Sequence, residues 1–317
     1  MSRRRPGALA AAAVAVLLPS AVLRGAEPKK PKVFPDDVRV ERDVAYLPAG
    51  RTPRADLYHP LGPRPTAGHP AVVIIHGGGF NGGEKDARRE IGIGSALARR
   101  GYLGMSIDYA LWQAGTTQRV WPRNLQDAKA AVIWLKRHAE RLGIDPDRIG
   151  AIGGSAGGTL AALLAVTGPD DGLEPPEESC LAAPLSSRVA CAVDLYGPAD
   201  LLTYHDLKML AATREEAPDL YRQASPAWQA NAGDSPLFIL HGTADTTVAV
   251  EQSAAFARAL LAAGVPHDLL VIEGAPHTFG IDYAGHDVAT PILAFFDKHL
   301  VAEAARQPPP AGTAPGR

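Results

Sequence analysis

The segment Arg148 to Ala165, RIGAIGGSAGGTLAALLA, narrows most what this chain can fold into. A short apolar run reaches Ile152, Gly153-Gly154-Ser155-Ala156-Gly157 follow, and a second apolar run of helical character begins at once. A strand that turns directly into a helix is a unit of sheets covered by helices. A serine at the centre of so sharp a turn sits on strained backbone, with its hydroxyl pushed out beyond the sheet edge. A side chain two residues before or after it would collide with that turn, which accounts for Gly153 and Gly157. The helix that follows aims its positive end at the serine and favours negative charge developing there. G-x-S-x-G is weak by itself, since a chain with 32 glycines gives chance matches and a glycine-rich turn around an inert serine has the same letters. The strand–turn–helix setting is what gives the pattern weight.

The rest of the chain agrees with that unit. Ala71–Ile75 is a continuous β-branched run, as in a strand buried on both faces. Similar runs lie at Leu103–Ile107, Arg148–Ile152, Val189–Leu195, Leu237–Leu240 and Leu269–Ile272, with helical segments between most of them. That alternation predicts an α/β fold with a mostly parallel central sheet and helices on both faces. Val38–Tyr46 alternates apolar and polar residues and Arg54–Tyr58 can pair with it, which predicts antiparallel strands at the N-terminal side. Leu125, Ala128, Val132, Leu135, Ala139 and Leu142 form one apolar stripe, predicting a single helix over 125–142. Asn124 would cap it, Asp127 would sit near its positive end, and Gly143 would stop it. Gly168–Ser187 reads as a surface loop. Leu201–Ala224 reads as a partly helical segment placed to cover a substrate. A closing helix is expected near Pro291–Leu300.

The ends differ in character. Met1–Arg5 is basic, Ala8–Val22 is apolar, and charge resumes at Arg24, the plan of a secretory signal peptide. The apolar run is short for a membrane span of about 20 residues, although an uncleaved anchor is the competing reading. The chain is therefore expected to divide into a signal peptide at 1–26, a lead-in at 27–37, a catalytic domain at 38–302 and a disordered tail at 303–317, with Ser20-Ala21 as another cleavage point. Export to the periplasm or the medium would follow, without stable membrane insertion after cleavage. Two cysteines are present, Cys180 and Cys191, and an oxidising compartment leaves both a disulfide and two free thiols open. A net charge of −2 gives no reason to expect nucleic acid as a partner.

Three further segments carry chemistry. His76-Gly77-Gly78-Gly79-Phe80 directly follows the Ala71–Ile75 run. Acyl transfer builds an oxyanion that converging backbone N–H groups must hold, and glycines let the chain approach closely. Gly78 and Gly79, with Ala156, are the candidate donors. The competing phosphate-loop reading lacks a following Lys-Ser/Thr and the G-x-G-x-x-G spacing. A serine hydroxyl needs an imidazole to take its proton. Of ten histidines, His277 in Gly274–Gly280 follows the last parallel run and precedes the closing helix; His286 is the rival. Asp245, after the Leu237–Leu240 run, suits the acid that orients the base, with Asp194 and Asp200 as alternatives. The order Ser155, Asp245, His277 is the order Ser…Asp…His of α/β-hydrolases.

Taken as a set, HGGGF, Asp108-Tyr109, IGGSAGG, DLYGPADL, LHGTADTTV and GAPHTFG resemble the α/β-hydrolase fold-3 esterases, the hormone-sensitive-lipase-like group, and more closely the BD-FAE-type exported esterases. The resemblance spans about residues 38–300. It implies an α/β-hydrolase fold, a triad of Ser155, Asp245 and His277, and an oxyanion hole at Gly78, Gly79 and Ala156. It also implies hydrolysis of carboxylic esters, among them acetyl or feruloyl esters of carbohydrates, without cofactor or metal. The expected partner is a small-molecule or polysaccharide ester. Many relatives carry an arginine after the Asp-Tyr pair, where this chain has Ala110-Leu111. Two other readings share the triad order: a peptidase or amidase of the prolyl-oligopeptidase or kynurenine-formamidase type, and a non-catalytic binding protein on the same fold. The prolyl-oligopeptidase type usually carries a large extra domain, export argues against the formamidase type, and binding proteins commonly lack a triad member.

Overall fold

The computed structural model describes residues 32–176, 185–283 and 285–301. The expected signal peptide at 1–26, the first part of the lead-in (27–31), Cys180 and the tail at 303–317 lie outside these residues. Among those described, eight strands form one sheet in the order β1-β2-β4-β3-β5-β6-β7-β8. They are β1 (Val40–Val44), β2 (Ala55–Tyr58), β3 (His69–Ile75), β4 (Leu103–Ile107), β5 (Ile144–Gly154), β6 (Cys191–Leu195), β7 (Leu237–Gly242) and β8 (His267–Ile272). β1 pairs antiparallel with β2, and β2 antiparallel with β4, while β3 to β8 run parallel. The antiparallel opening and the parallel centre expected from the sequence are both present.

The helices are α1 (Arg88–Arg99), α2 (Arg123–Arg137), α3 (Ala139–Leu142), α4 (Ala156–Val166), α5 (Pro218–Gln223), α6 (Pro226–Gln229), α7 (Glu251–Ala263) and α8 (Ala289–Leu300). Alternate residues of each central strand belong to different cores, as the period of two demands. Ala71, Val73 and Ile75 pack in one cluster with residues of α2, α4 and α7. Val72 and Ile74 pack in another with Ile93 and Leu97 of α1 and with Ile292, Phe295 and Phe296 of α8. Double burial is why these strands are continuous apolar runs.

The helix expected over 125–142 is two helices, α2 and α3, parted at His138. The His138 ring nitrogen Nδ1 lies 2.8 Å from the Trp134 carbonyl oxygen, and the His138 backbone N–H also reaches that carbonyl at 3.1 Å. The ring stacks on Trp134 at 4.2 Å. A side chain competing for a main-chain acceptor interrupts the helix there, although the apolar stripe continues across the break. Asn124 is not the cap. It lies inside the first turn, buried, with its amide nitrogen 3.1 Å from Met209 Sδ. Asp127 is likewise no dipole partner, because it is buried and binds Arg51 Nη2 through both oxygens at 2.7 and 2.8 Å. Gly143 does end α3, in the left-handed region at φ 70°. Cys191 is a free thiol, buried in β6, and its expected pairing with Cys180 falls on a residue outside those described. No described helix is long and apolar enough to cross a membrane.

Candidate active site

β5 delivers Ser155 and α4 begins at the next residue. Ser155 has φ 57° and ψ −126°, strained for a residue with a Cβ. Its N–H donates to the Leu195 carbonyl at 2.8 Å, anchoring the turn to β6. A Cβ on Gly153 would overlap the Gly157 carbonyl, and one on Gly157 would overlap the carbonyls of Ile75 and His76. The glycines therefore have the steric role expected of them, and the second also lets α4 approach β3.

The loops after β7 and β8 bring the other two groups to this turn. His277 Nε2 lies 3.1 Å from Ser155 Oγ, and His277 Nδ1 lies 2.6 Å from Asp245 Oδ2. The Asp245 side chain is fully buried. Burial acts to raise its pKa, but hydrogen bonds from His277 and from the N–H groups of Val248 and Thr247 outweigh it and hold the carboxyl below its ordinary range. Asp245 Oδ1 accepts those two N–H groups at 2.9 and 2.8 Å, leaving Oδ2 for the imidazole. The alternatives are employed elsewhere. Asp194 accepts the Gly197 N–H at 2.9 Å, Asp200 accepts the Trp228 indole N–H at 3.0 Å, and His286 stacks on Tyr283 at 5.2 Å.

Gly78 and Gly79 have φ 116° and 60° and line a cavity of about 540 Å³ with Ser155 and His277. Their N–H groups and that of Ala156 have no acceptor among the described residues. For Ala156 this follows from its place at the start of a helix. His76 holds the loop from within. Its Nδ1 lies 2.7 Å from the Gly77 carbonyl, its ring stacks on Tyr109 at 4.4 Å, and Tyr109 donates to the His76 carbonyl at 2.9 Å. Burial lowers the His76 pKa and keeps the ring neutral. Tyr204 and His205, from the segment expected to cover a substrate, line the same cavity.

Two supports were not legible as such. His241, fully buried, stands against the same carboxylate as His277: its Nε2 is 3.2 Å from Asp245 Oδ2 and 2.8 Å from the Val248 carbonyl. Its Nδ1 is 2.7 Å from Ser253 Oγ. Tyr196 packs edge-on against the His277 ring at 4.9 Å and donates to the Phe279 carbonyl at 2.9 Å, fixing the loop that carries His277. Arg89 donates to the Tyr196 oxygen at 2.7 Å and pairs with Glu90. His241 and Tyr196 fall inside the quoted stretches LHGTADTTV and DLYGPADL, but only their contacts separate them from core residues.

The BD-FAE family model matches residues 55–260, most of the described length. The chain belongs to the BD-FAE family. It is 31% identical over 234 residues to esterase LipQ of Mycobacterium tuberculosis, covering 70% of this chain and 53% of that protein. It spans about half the length of the mycobacterial relatives it matches first, with 51% of LipM and 55% of LipC covered. Among solved structures, the apo form of Thermogutta terrifontis esterase 2 is 30% identical, with a TM-score of 0.66, covering 89% of this chain and 98% of that one. A truncated carbohydrate esterase from gut microbiota reaches a TM-score of 0.71 at 23% identity, over 83% and 97% of the two chains, a likeness of fold alone. The BD-FAE sheet of this chain is thus that of an α/β-hydrolase. After Asp108-Tyr109 this BD-FAE member has Ala110, whose N–H donates to Asp127 Oδ2 at 2.8 Å, while Arg51 engages that carboxylate from the β1–β2 connection.

Proposed function

We propose that this protein is a serine carboxylesterase that hydrolyses short-chain acyl esters, acetyl or feruloyl esters of carbohydrates among them, outside the cytoplasmic membrane. The observation that carries the reading is the file of contacts Ser155 Oγ, His277 and Asp245 at 3.1 and 2.6 Å. His277 takes the hydroxyl proton as Ser155 Oγ attacks the ester carbonyl, and Asp245 orients and stabilises the imidazolium that forms. The N–H groups of Gly78, Gly79 and Ala156 hold the oxyanion; loss of one such donor typically costs about 3–4 kcal/mol of transition-state stabilisation. His277 then protonates the departing alcohol, and water repeats the sequence on the acyl-enzyme. The esterase names of the relatives support the reaction class, and the Thermogutta terrifontis enzyme is described with butyrate bound and as phosphorylated by paraoxon. The leader-like residues 1–26 support export.

Ser155→Ala tests the proposal with p-nitrophenyl acetate. Turnover is expected to fall by about 10⁴-fold or more, as when a triad nucleophile is removed. Turnover near that of the unaltered protein would sink it.

A further inference from the structure

A second concavity, about 1110 Å³, opens beside the cavity around Ser155. Its walls are Arg51–Pro53 from the β1–β2 connection, Gly83, and the segment from Asp108 to Arg123 that follows β4. Gly83 lines both spaces. A Cβ there would overlap the Gly77 carbonyl and the His76 ring, so Gly83 packs directly against the glycine loop at Ser155. The far wall is tied to that loop as well, through the Trp112 N–H on the Phe80 carbonyl at 2.9 Å.

The groove is more basic than the chain that forms it. Arg51 is spent on Asp127. Arg119 and Arg123 are exposed and make no salt bridge among the described residues, Arg123 acting at longer range on the buried Asp127. The carboxylate lining the groove with them is Asp108, whose Oδ1 accepts the Lys85 N–H at 2.8 Å and whose pKa burial raises. Three guanidiniums, Arg51, Arg119 and Arg123, against the two carboxyls Asp127 and Asp108 leave the wall positive, on a chain of net charge −2. Gln113, Gln126 and Thr116 add hydroxyl-binding groups, and Pro53 and Leu111 add apolar surface for ring faces. A guanidinium fork matches a carboxylate in two parallel hydrogen bonds.

We propose that this groove binds the alcohol portion of the substrate, and that this portion is a carboxylate-bearing oligosaccharide, a chain containing uronate units. The placement of the esterified unit at Ser155 rests on the esterase reading; the binding of the acidic chain does not. Exposed ion pairs each contribute up to about fivefold in affinity. Two of them should favour the acidic chain by about five- to tenfold at low ionic strength, and salt on the order of 0.5 M should remove the preference.

The test is calorimetric titration of the full chain with oligogalacturonate and with a neutral xylo-oligosaccharide of equal length. The acidic oligomer should bind about five- to tenfold tighter, and Arg119→Gln/Arg123→Gln should abolish that difference. Equal affinity for the two oligomers, no binding of either, or a preference that survives the double substitution overturns the proposal. Hydrolysis of the acetylated forms of both oligomers separates the two readings. Arginine-dependent binding with no ester cleaved would reject the esterase and keep the groove. Cleavage of both at one kcat/KM, unaffected by the double substitution, would reject the groove and keep the esterase.

Discussion

Asp245 Oδ2 is approached by two imidazoles, His277 at 2.6 Å and His241 at 3.2 Å. Burial lowers the His241 pKa and keeps that ring neutral. With Nε2 facing the Val248 carbonyl, Nε2 must carry the hydrogen and Nδ1 must accept from Ser253 Oγ. The same N–H leans on the carboxylate, so His241 holds Asp245 in the orientation His277 needs. His241→Leu removes that donor and should lower kcat about tenfold or more with KM little changed, since a small misplacement in a triad acts mainly on the transition state. His241→Gln keeps a nitrogen near Nε2 and should recover much of the loss. Equal kcat in the folded fractions of both variants would leave His241 a packing residue. Ser155, Asp245 and His277 were legible in the sequence because strand ends and chain order constrain them. His241 was not, because a buried histidine after a strand looks the same whether it packs or points.

At the scale of elements, the junction of β6 with α4 stores a pH dependence. Asp194, fully buried at the end of β6, lies against Gly158 of α4, with Oδ1 on the Gly197 N–H and Oδ2 without a partner among the described residues. Burial pushes its pKa up to about 7. Between about pH 4 and pH 7 the unfolded chain has released this proton and the folded chain retains it, so stability falls as pH rises through that window and levels off above it. The contribution is at most about 4 kcal/mol, because the positive end of α4 opposes the shift. Asp194→Asn mimics the protonated acid. Its Tm relative to the unaltered protein should rise from pH 4 to pH 8, and a difference flat with pH would refute the assignment. The sequence made the elements legible where burial on both faces dictates composition, as in Ala71–Ile75 and the α4 run. It misplaced the boundary at His138 and the roles of Asn124 and Asp127, because those depend on Trp134, Met209 and Arg51, partners set by tertiary packing.

At the scale of the whole molecule, Cys191 reports on whether the sheet opens. It sits in β6 with β5 and β7 on either side, and its thiol is completely buried. Burial also pushes the thiol pKa well up, so little thiolate forms even where a reagent could reach it. Phe296 of α8 closes this core, packing in the same cluster as Cys191 and within reach of Gly150 on β5. Modification of Cys191 therefore requires the sheet to separate from α8, an opening close to global unfolding. In a Cys180→Ser background Cys191 is the one thiol of the chain. There, labelling by a disulfide reagent under native conditions should be slower than in denaturant by many orders of magnitude. Phe296→Ala should cost about 3–5 kcal/mol and so accelerate native labelling by about 10²- to 10⁴-fold, provided the sheet recloses faster than the reagent reacts. Rapid native labelling of Cys191, or labelling indifferent to Phe296→Ala while Tm falls, would mean that β6 opens locally and that the sheet carrying Ser155 does not unfold as a unit.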